Sequence, residues 1–218
     1  MTARAPIVPD DESGRDLARD VLRAGGVVAI PTDTVYGIAV ALDTPGGIER
    51  LFELKRRPLD KSIALLIDDV EQAAVLGHVT KATRALADAC WPGGLTLVLR
   101  QREDVPFPAV LTGGAPTIGL RVPAHDAPRA LARAVGPLPT TSANVSGLPE
   151  APDADAVQAQ LGEAIELVLD GGPSRSAAAS TVVDTSIERP RILRVGAIDP
   201  ERIAAILDGA GVAHDVGR

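Results

Sequence analysis

Short apolar runs of strand type recur along the whole chain and alternate with stretches of helical period. VVAI (27–30), SIALLI (62–67), LTLVLR (95–100), TIGLRVP (117–123), LPTTSA (138–143), IELVLD (165–170), STVVD (180–184) and RILRV (191–195) are short and mostly rich in Val, Ile, Leu or Thr. Between them Leu17, Val21 and Leu22 share one face of a helix that starts near Ser13 and stops at Gly25-Gly26. A second helix opens at Thr44-Pro45, carries Ile48, Leu51, Phe52 and Leu54, and runs into KRRP. Asp68 or Asp69, and then Thr80, read as caps of two more helices, and residues 127–135, 153–161 and 199–208 supply the rest. Strands interleaved with helices predict an α/β sheet covered by helices. The bunching of strands in the second half predicts a mixed sheet rather than a wholly parallel one. Residues 1–11 read as a flexible lead-in, 12–208 as a single domain and 209–218 as a flexible tail.

Composition narrows the function. Aromatic residues are only 2% of the 218, so the core is built from aliphatic side chains, and the scarcity argues against a stacking platform for single-stranded nucleic acid. A formal net charge of -7 disfavours a general nucleic-acid or anionic-membrane binder, while leaving room for a basic pocket inside an acidic shell. The single cysteine, Cys90, excludes an intrachain disulfide framework and reads as an apolar filler beside Trp91. His78, His125 and His214 show no metal-ligand spacing, so no metal site held by the protein is expected. No basic start followed by an apolar run opens the chain, and no stretch approaches membrane-spanning length, which reads as a cytoplasmic protein.

Neither a phosphate loop of the G-x-x-x-x-G-K-[ST] type nor a dinucleotide fingerprint is present, and WPGG (91–94) and LTGG (111–114) read as tight connections. Four segments carry more. PTDTVYG (31–37) interrupts strand-like sequence with Thr32, Asp33, Thr34 and Tyr36, either as a self-satisfied turn or as the wall of a site. KRRPLDKS (55–62) packs Lys55, Arg56, Arg57 and Lys61 between a helix and a strand; it is a solvated basic corner or a set of cations held for an anion. TTSANVSG (140–147) sets Thr141, Ser142, Asn144 and Ser146 after a strand, the place where open α/β sheets bind ligands, unless it is only a hydroxyl-rich turn. Arg121 in GLRVP and Arg194 in RILRVG lie in apolar strand runs, where an unpaired guanidinium is costly, so each pairs with a structural carboxylate or faces an anionic ligand.

PTDTVYGI, KRRPLDKS, WPGGLTLVL, IGLRVP, TTSANVSG and STVVD…ILRVG stand in the order found in the YrdC-like threonylcarbamoyl-AMP synthases, and from about residue 14 to 198 the chain resembles that family. The family's paired K-x-R and S-x-N match Lys55/Arg57 and Ser142/Asn144. The resemblance implies an open twisted α/β sheet with a large concave basic cavity, and a nucleotidyltransferase that joins L-threonine, bicarbonate (or carbon dioxide) and ATP into L-threonylcarbamoyl-AMP, releasing pyrophosphate. The product would pass to a separate transferase complex for threonylcarbamoyladenosine modification of tRNA, with at most a weak tRNA contact here. Carried over, Thr34, Tyr36, Arg121, Thr141 and Ser180 would bind L-threonine, with Arg121 on its carboxylate. Arg57, Lys61 and Arg194 would hold ATP, with Lys55 in the same field, and Ser142 and Asn144 would face the nucleotide and the reacting carboxyl. Lys55, Arg57, Ser142 and Asn144 form the implied catalytic set, and magnesium would arrive with ATP. The family often carries His where this chain has Leu66. The chain reads as the short form, without the appended second domain of longer members.

Two rivals belong to other classes. YrdC-like proteins have been described as double-stranded RNA binders, a reading that the acidic charge and single tyrosine weaken. A carbamoyl transferase of hydrogenase maturation would bring zinc-finger and acylphosphatase-like segments, which this sequence lacks.

Overall fold

The computed structural model describes residues 4–56, 58, 61–174 and 178–217. Its elements, in chain order, are β1 (Ile7–Pro9), α1 (Glu12–Arg23), β2 (Val28–Ile30), β3 (Gly37–Ala39), α2 (Gly47–Lys55), β4 (Ala64–Leu66), α3 (Val70–Leu76), α4 (Lys81–Cys90), β5 (Leu95–Arg100) and α5 (Ala109–Thr112). They continue with β6 (Thr117–Arg121), α6 (Asp126–Val135), β7 (Leu138–Ser142), α7 (Ala154–Leu161), β8 (Leu167–Asp170), β9 (Thr181–Asp184), β10 (Arg191–Arg194) and α8 (Pro200–Gly209). Helix starts follow local chemistry: the carboxylates of Asp11, Asp69 and Asp153 and the hydroxyl of Thr80 each accept a backbone N–H of the first turn. Of the two aspartates offered as a cap before α3, Asp69 takes the role. Asp68 instead accepts both Nε and Nη2 of Arg133 at 2.8 Å, joining β4 to α6.

Among the described residues the strands form one ten-stranded sheet in the order β1-β8-β2-β3-β7-β4-β6-β5-β9-β10. It is mixed, as the bunching of strands predicts. β1/β8, β2/β8, β4/β6 and β5/β9 run parallel, and the other neighbours run antiparallel. A straight apolar row, Leu65–Leu120–Leu97–Val183, crosses β4, β6, β5 and β9 in register with each residue fully buried. This row belongs to the main core, which also receives the apolar faces of α2, α3, α4, α7 and α8. A second, smaller core lies where Leu22 and Ala18 of α1 and Leu131 and Ala127 of α6 pack against Val28, Ile30, Ala39, Leu138 and Leu167.

The pleat therefore gives the sheet one face fully covered and one face covered only in part. α1 and α6 shield the β8-β2-β3 side of the second face. Toward β6, β5 and β9 that face lies open, and the site occupies it.

Three expectations differ from the structure. The lead-in is not loose from residue 7: Ile7, Val8 and Pro9 pair with Val168, Leu169 and Asp170. A three-residue strand ending in proline is too short to show a period in sequence. In the tail, Val216 is buried in the main core and Asp215 donates its N–H to the carbonyl of Pro190, so this segment is tied down by an apolar side chain and by hydrogen bonds. The second helix starts at Gly47, past the expected Thr44-Pro45, and Cys90 is buried as an apolar filler.

Candidate active site

A concave cavity of about 540 Å³ lies over the open part of the sheet. Its floor is read directly from the pleat. Ala64 and Leu66 on β4, Gly119 and Arg121 on β6, Thr96 and Val98 on β5, and Val182 on β9 alternate with the core row and line the cavity. The loop from Pro31 to Tyr36, which joins the antiparallel pair β2/β3, forms one wall. Ser180, Leu193 and Arg194 form the opposite one.

Most of the sequence-derived site residues meet here. Thr34, Tyr36, Lys61, Arg121, Thr141, Ser142, Ser180 and Arg194 all line the cavity. Lys55 and Asn144 stand directly behind Ser142. The Lys55 ammonium, 4% exposed, donates to the Asn144 Oδ1 at 2.6 Å, to the Ser142 carbonyl at 2.9 Å and to the Ser142 hydroxyl at 3.0 Å. The Ser142 hydroxyl in turn donates to Asn144 Oδ1 at 2.7 Å, and the Asn144 amide donates to the Leu148 carbonyl at 2.7 Å. The S-x-N pair and the lysine of K-x-R are thus one buried unit, with Ser142 as its exposed tip and Asn144 behind the cavity lining. Arg57 lies outside the described residues.

Arg121 takes the first alternative that the sequence left open, pairing with a carboxylate, and it does so at the edge of the cavity. Its Nη2 pairs with Asp33 at 2.7 Å, its Nη1 donates to the Thr34 hydroxyl at 2.9 Å and its Nε donates to the Gly93 carbonyl at 3.0 Å, while the residue still faces the cavity. Burial lowers its pKa below the usual arginine value, and the charge of Asp33 opposes that effect. The WPGG turn is thus a tight connection that also supplies one of the acceptors for this guanidinium. At Gly94 an added Cβ would lie 2.7 Å from the Ala197 Cβ and 3.4 Å from the Thr34 methyl, so glycine lets the turn close on the site.

On the far wall, Arg194 donates twice to the Ser180 carbonyl, at 2.9 and 3.1 Å, and once to its hydroxyl at 3.1 Å. The Ser180 hydroxyl also meets Thr96 at 2.8 Å. Burial lowers the Arg194 pKa, and Glu150, another lining residue, opposes it. Tyr36 commits its hydroxyl elsewhere: it donates to the Gly172 carbonyl at 2.7 Å and accepts the Gly171 N–H at 3.2 Å, and burial raises its pKa well above the usual value. Thr141 pairs with Ile38 of the main core, out of phase with Thr140 and Ser142, and its hydroxyl has no hydrogen-bond partner among the described residues.

Thr32 and Asp33 belong to the PTDTVYG wall, whereas Thr96 and Glu150 line the cavity without a place among the sequence-derived site residues. Thr96 had a readable signal, since in LTLVLR it falls out of phase with Leu95, Leu97 and Leu99. Glu150 had none: it is one acidic residue in a loop. Among the described residues, no group of three or more His, Cys, Asp or Glu is placed to hold a metal ion, and no helix is long and apolar enough to cross a membrane.

A cavity built on a half-covered mixed sheet, with these loops at its rim, can be compared with known proteins. The family model described as Telomere recombination, covering Sua5, YciO and YrdC, matches residues 20–196. The chain belongs to the Sua5/YciO/YrdC family. It is 37% identical over 187 residues to a putative threonylcarbamoyl-AMP synthase of Mycobacterium tuberculosis, covering 85% of each chain. It is also 37% identical over 193 residues to the threonylcarbamoyl-AMP synthase of Pyrococcus abyssi, covering 88% of this chain and 56% of that protein, so it spans little more than half of that relative's length. The crystal structure of P. abyssi Sua5 complexed with L-threonine superposes with a TM-score of 0.87 at 35% identity, covering 97% of this chain and 62% of that one.

Proposed function

We propose that this member of the Sua5/YciO/YrdC family is an L-threonylcarbamoyladenylate synthase, a nucleotidyltransferase that condenses L-threonine, bicarbonate or carbon dioxide, and ATP to L-threonylcarbamoyl-AMP and pyrophosphate. The observation that carries this reading is the meeting of Arg121, Thr34 and Ser142 in one cavity from three distant segments. Kinship with proteins named threonylcarbamoyl-AMP synthase, and with one crystallised with L-threonine, supports it.

The chemistry asks little covalent work of the protein. The neutral amine of threonine bonds to the carbon of carbon dioxide as one C=O electron pair moves onto oxygen, and the nitrogen then releases a proton to water to leave the carbamate. One oxygen of the resulting carbamate then attacks the α-phosphorus of ATP, and pyrophosphate leaves. Two anions have to be brought together, so orientation and charge neutralisation dominate the barrier. In this reading Arg121 holds the threonine carboxylate, and Thr34 and Ser180 supply polar contacts to the amino acid, while Thr141, out of phase with the floor, borders the site from its strand. Lys61, Arg57 and Arg194 take the phosphates. Ser142, fixed from behind by Lys55 and Asn144, faces the reacting carboxyl. Against these cations the described lining holds one carboxylate, Glu150, so its charge balance favours anions. Magnesium would accompany ATP and neutralise phosphate charge; a lone carboxylate does not make a magnesium cage, so the ion's oxygens would come mainly from phosphates and water.

The test is direct. Purified protein with ATP, magnesium and bicarbonate is expected to release pyrophosphate only when L-threonine is present, with serine a poorer substitute. Contact with one extra methyl is worth roughly 1–3 kcal/mol, so discrimination against serine should be moderate. Equal pyrophosphate release without any amino acid would make the protein a plain ATPase and overturn the reading.

A further inference from the structure

Asp33 stands next to Thr34 in the wall loop but serves a different group. Its Oδ1 accepts the Arg121 Nη2 at 2.7 Å and the backbone N–H of Ala124 at 3.0 Å. One carboxylate oxygen therefore ties the β2–β3 loop both to the guanidinium at the end of β6 and to the chain just beyond it. A guanidinium has five N–H groups. On Arg121 three are spent on Gly93, Thr34 and Asp33, which fixes the plane of the group and leaves two for a ligand.

The neighbouring hydroxyls have a fixed polarity as well. Thr32 gives its proton to the Val35 carbonyl at 2.7 Å, so in its 3.1 Å contact with Thr34 it must accept. Thr34 then donates to Thr32 and accepts from Arg121, and the one capacity it retains is a lone pair. Two guanidinium N–H groups beside a single acceptor match the end of an α-amino acid, carboxylate next to ammonium.

We propose that Asp33 is a positioning residue for the amino-acid substrate, holding Arg121 in the orientation that leaves this pattern of two donors and one acceptor at the cavity. The inference rests on the function proposed above and assigns to Asp33 a part in substrate binding without contact with the substrate. The carboxylate also stands beside a buried cation, which without it would have no charged partner among the described residues. Because Asp33 acts through Arg121, its effect must vanish once the guanidinium is gone.

The experiment is a double-mutant cycle read by L-threonine binding and, separately, by ATP binding. Wild type, Asp33→Asn, Arg121→Gln and the double variant are compared by calorimetry. Asp33→Asn is expected to weaken L-threonine at least tenfold and to leave ATP within about twofold. In the Arg121→Gln background the same change should alter L-threonine affinity by less than twofold. The double variant removes both charges together, so it leaves no orphaned ion to unfold the protein. If Asp33→Asn alone does not fold, the comparison of Arg121→Gln with the double variant decides. Equal threonine affinity in wild type and Asp33→Asn, parallel losses for threonine and ATP, or a full further loss in the Arg121→Gln background overturns the positioning role. A wild-type protein that binds ATP but no L-threonine overturns the function as well.

Discussion

Lys55 and Asn144, 89 positions apart in the chain, meet through a 2.6 Å hydrogen bond in which a buried ammonium donates to a side-chain amide oxygen. The contact fastens the C-terminal end of α2 to the loop after β7 and holds Ser142 between them. Hydrogen bonds to a charged group contribute more than neutral ones, so losing this acceptor weakens the hold on a buried ammonium. Asn144→Ala is therefore expected to destabilise the fold by about 2 kcal/mol. A lowered urea midpoint with an unchanged m-value checks it; a midpoint equal to wild type shows that the pair contributes nothing.

The arginine of K-x-R lies outside the described residues, and the expectation for it rests on its place before Pro58. If Arg57 forks onto phosphate oxygens, Lys keeps the charge but loses the planar two-point contact. Arg57→Lys should then cost about 2–3 kcal/mol of transition-state stabilisation, roughly a hundredfold in threonine-dependent pyrophosphate release. Arg56→Lys is the matched control. Arg56 is the C-cap of α2 at φ 48°, and lysine there changes neither charge nor backbone demand. Equal activity of the two variants would show KRRP to be a basic surface.

Gly196 follows the strand that carries Arg194, and a Cβ there would fall within the backbone of Ala179 and Ser180. Gly196→Ala is expected to displace that segment and cost about 1–3 kcal/mol. Because Arg194 and Thr96 both depend on Ser180, the variant should also lose activity beyond its stability loss. Activity assayed well below its Tm separates the two effects; full activity there would mean that the wall tolerates the shift.

Tyr36 is the only tyrosine, so tyrosinate absorbance reports it alone. Burial raises its pKa in the folded state, while in the unfolded chain it titrates near 10. Above pH 10 the unfolded state therefore binds fewer protons than the folded one, and stability falls as pH rises, by up to about 1.4 kcal/mol per pH unit from this group. Tyrosinate absorbance should rise together with loss of far-UV ellipticity. A phenolate signal that appears at pH 10 in fully folded protein would contradict the burial of this hydroxyl.

Much of this arrangement was legible in the sequence because it depends on local patterns. The caps at Asp69 and Thr80 and the mixed sheet follow from local chemistry and periodicity, whereas the gathering of Thr34, Arg121, Ser142, Ser180 and Arg194 is implied by the resemblance of six ordered motifs to a known family. What stayed hidden depends on distance. Whether Asp33 belongs to a self-satisfied turn or to the wall of a site stays open until Arg121, 88 positions later, is brought to it. Asn144 reads as a ligand contact until Lys55 claims its oxygen. β1 is too short to have a period, and its pairing partner β8 lies more than 150 residues away.

The half-covered sheet separates two kinds of change. Leu65, Leu97, Leu120 and Val183 are fully buried and serve only cohesion, whereas their strand neighbours Ala64, Thr96, Val98, Gly119 and Val182 line the cavity. Adjacent positions on one strand thus answer to different demands. At Gly119 an added methyl would meet nothing closer than 3.6 Å, so the floor can be remodelled one atom at a time. A family built on this sheet can diversify what it accepts without renegotiating how it folds.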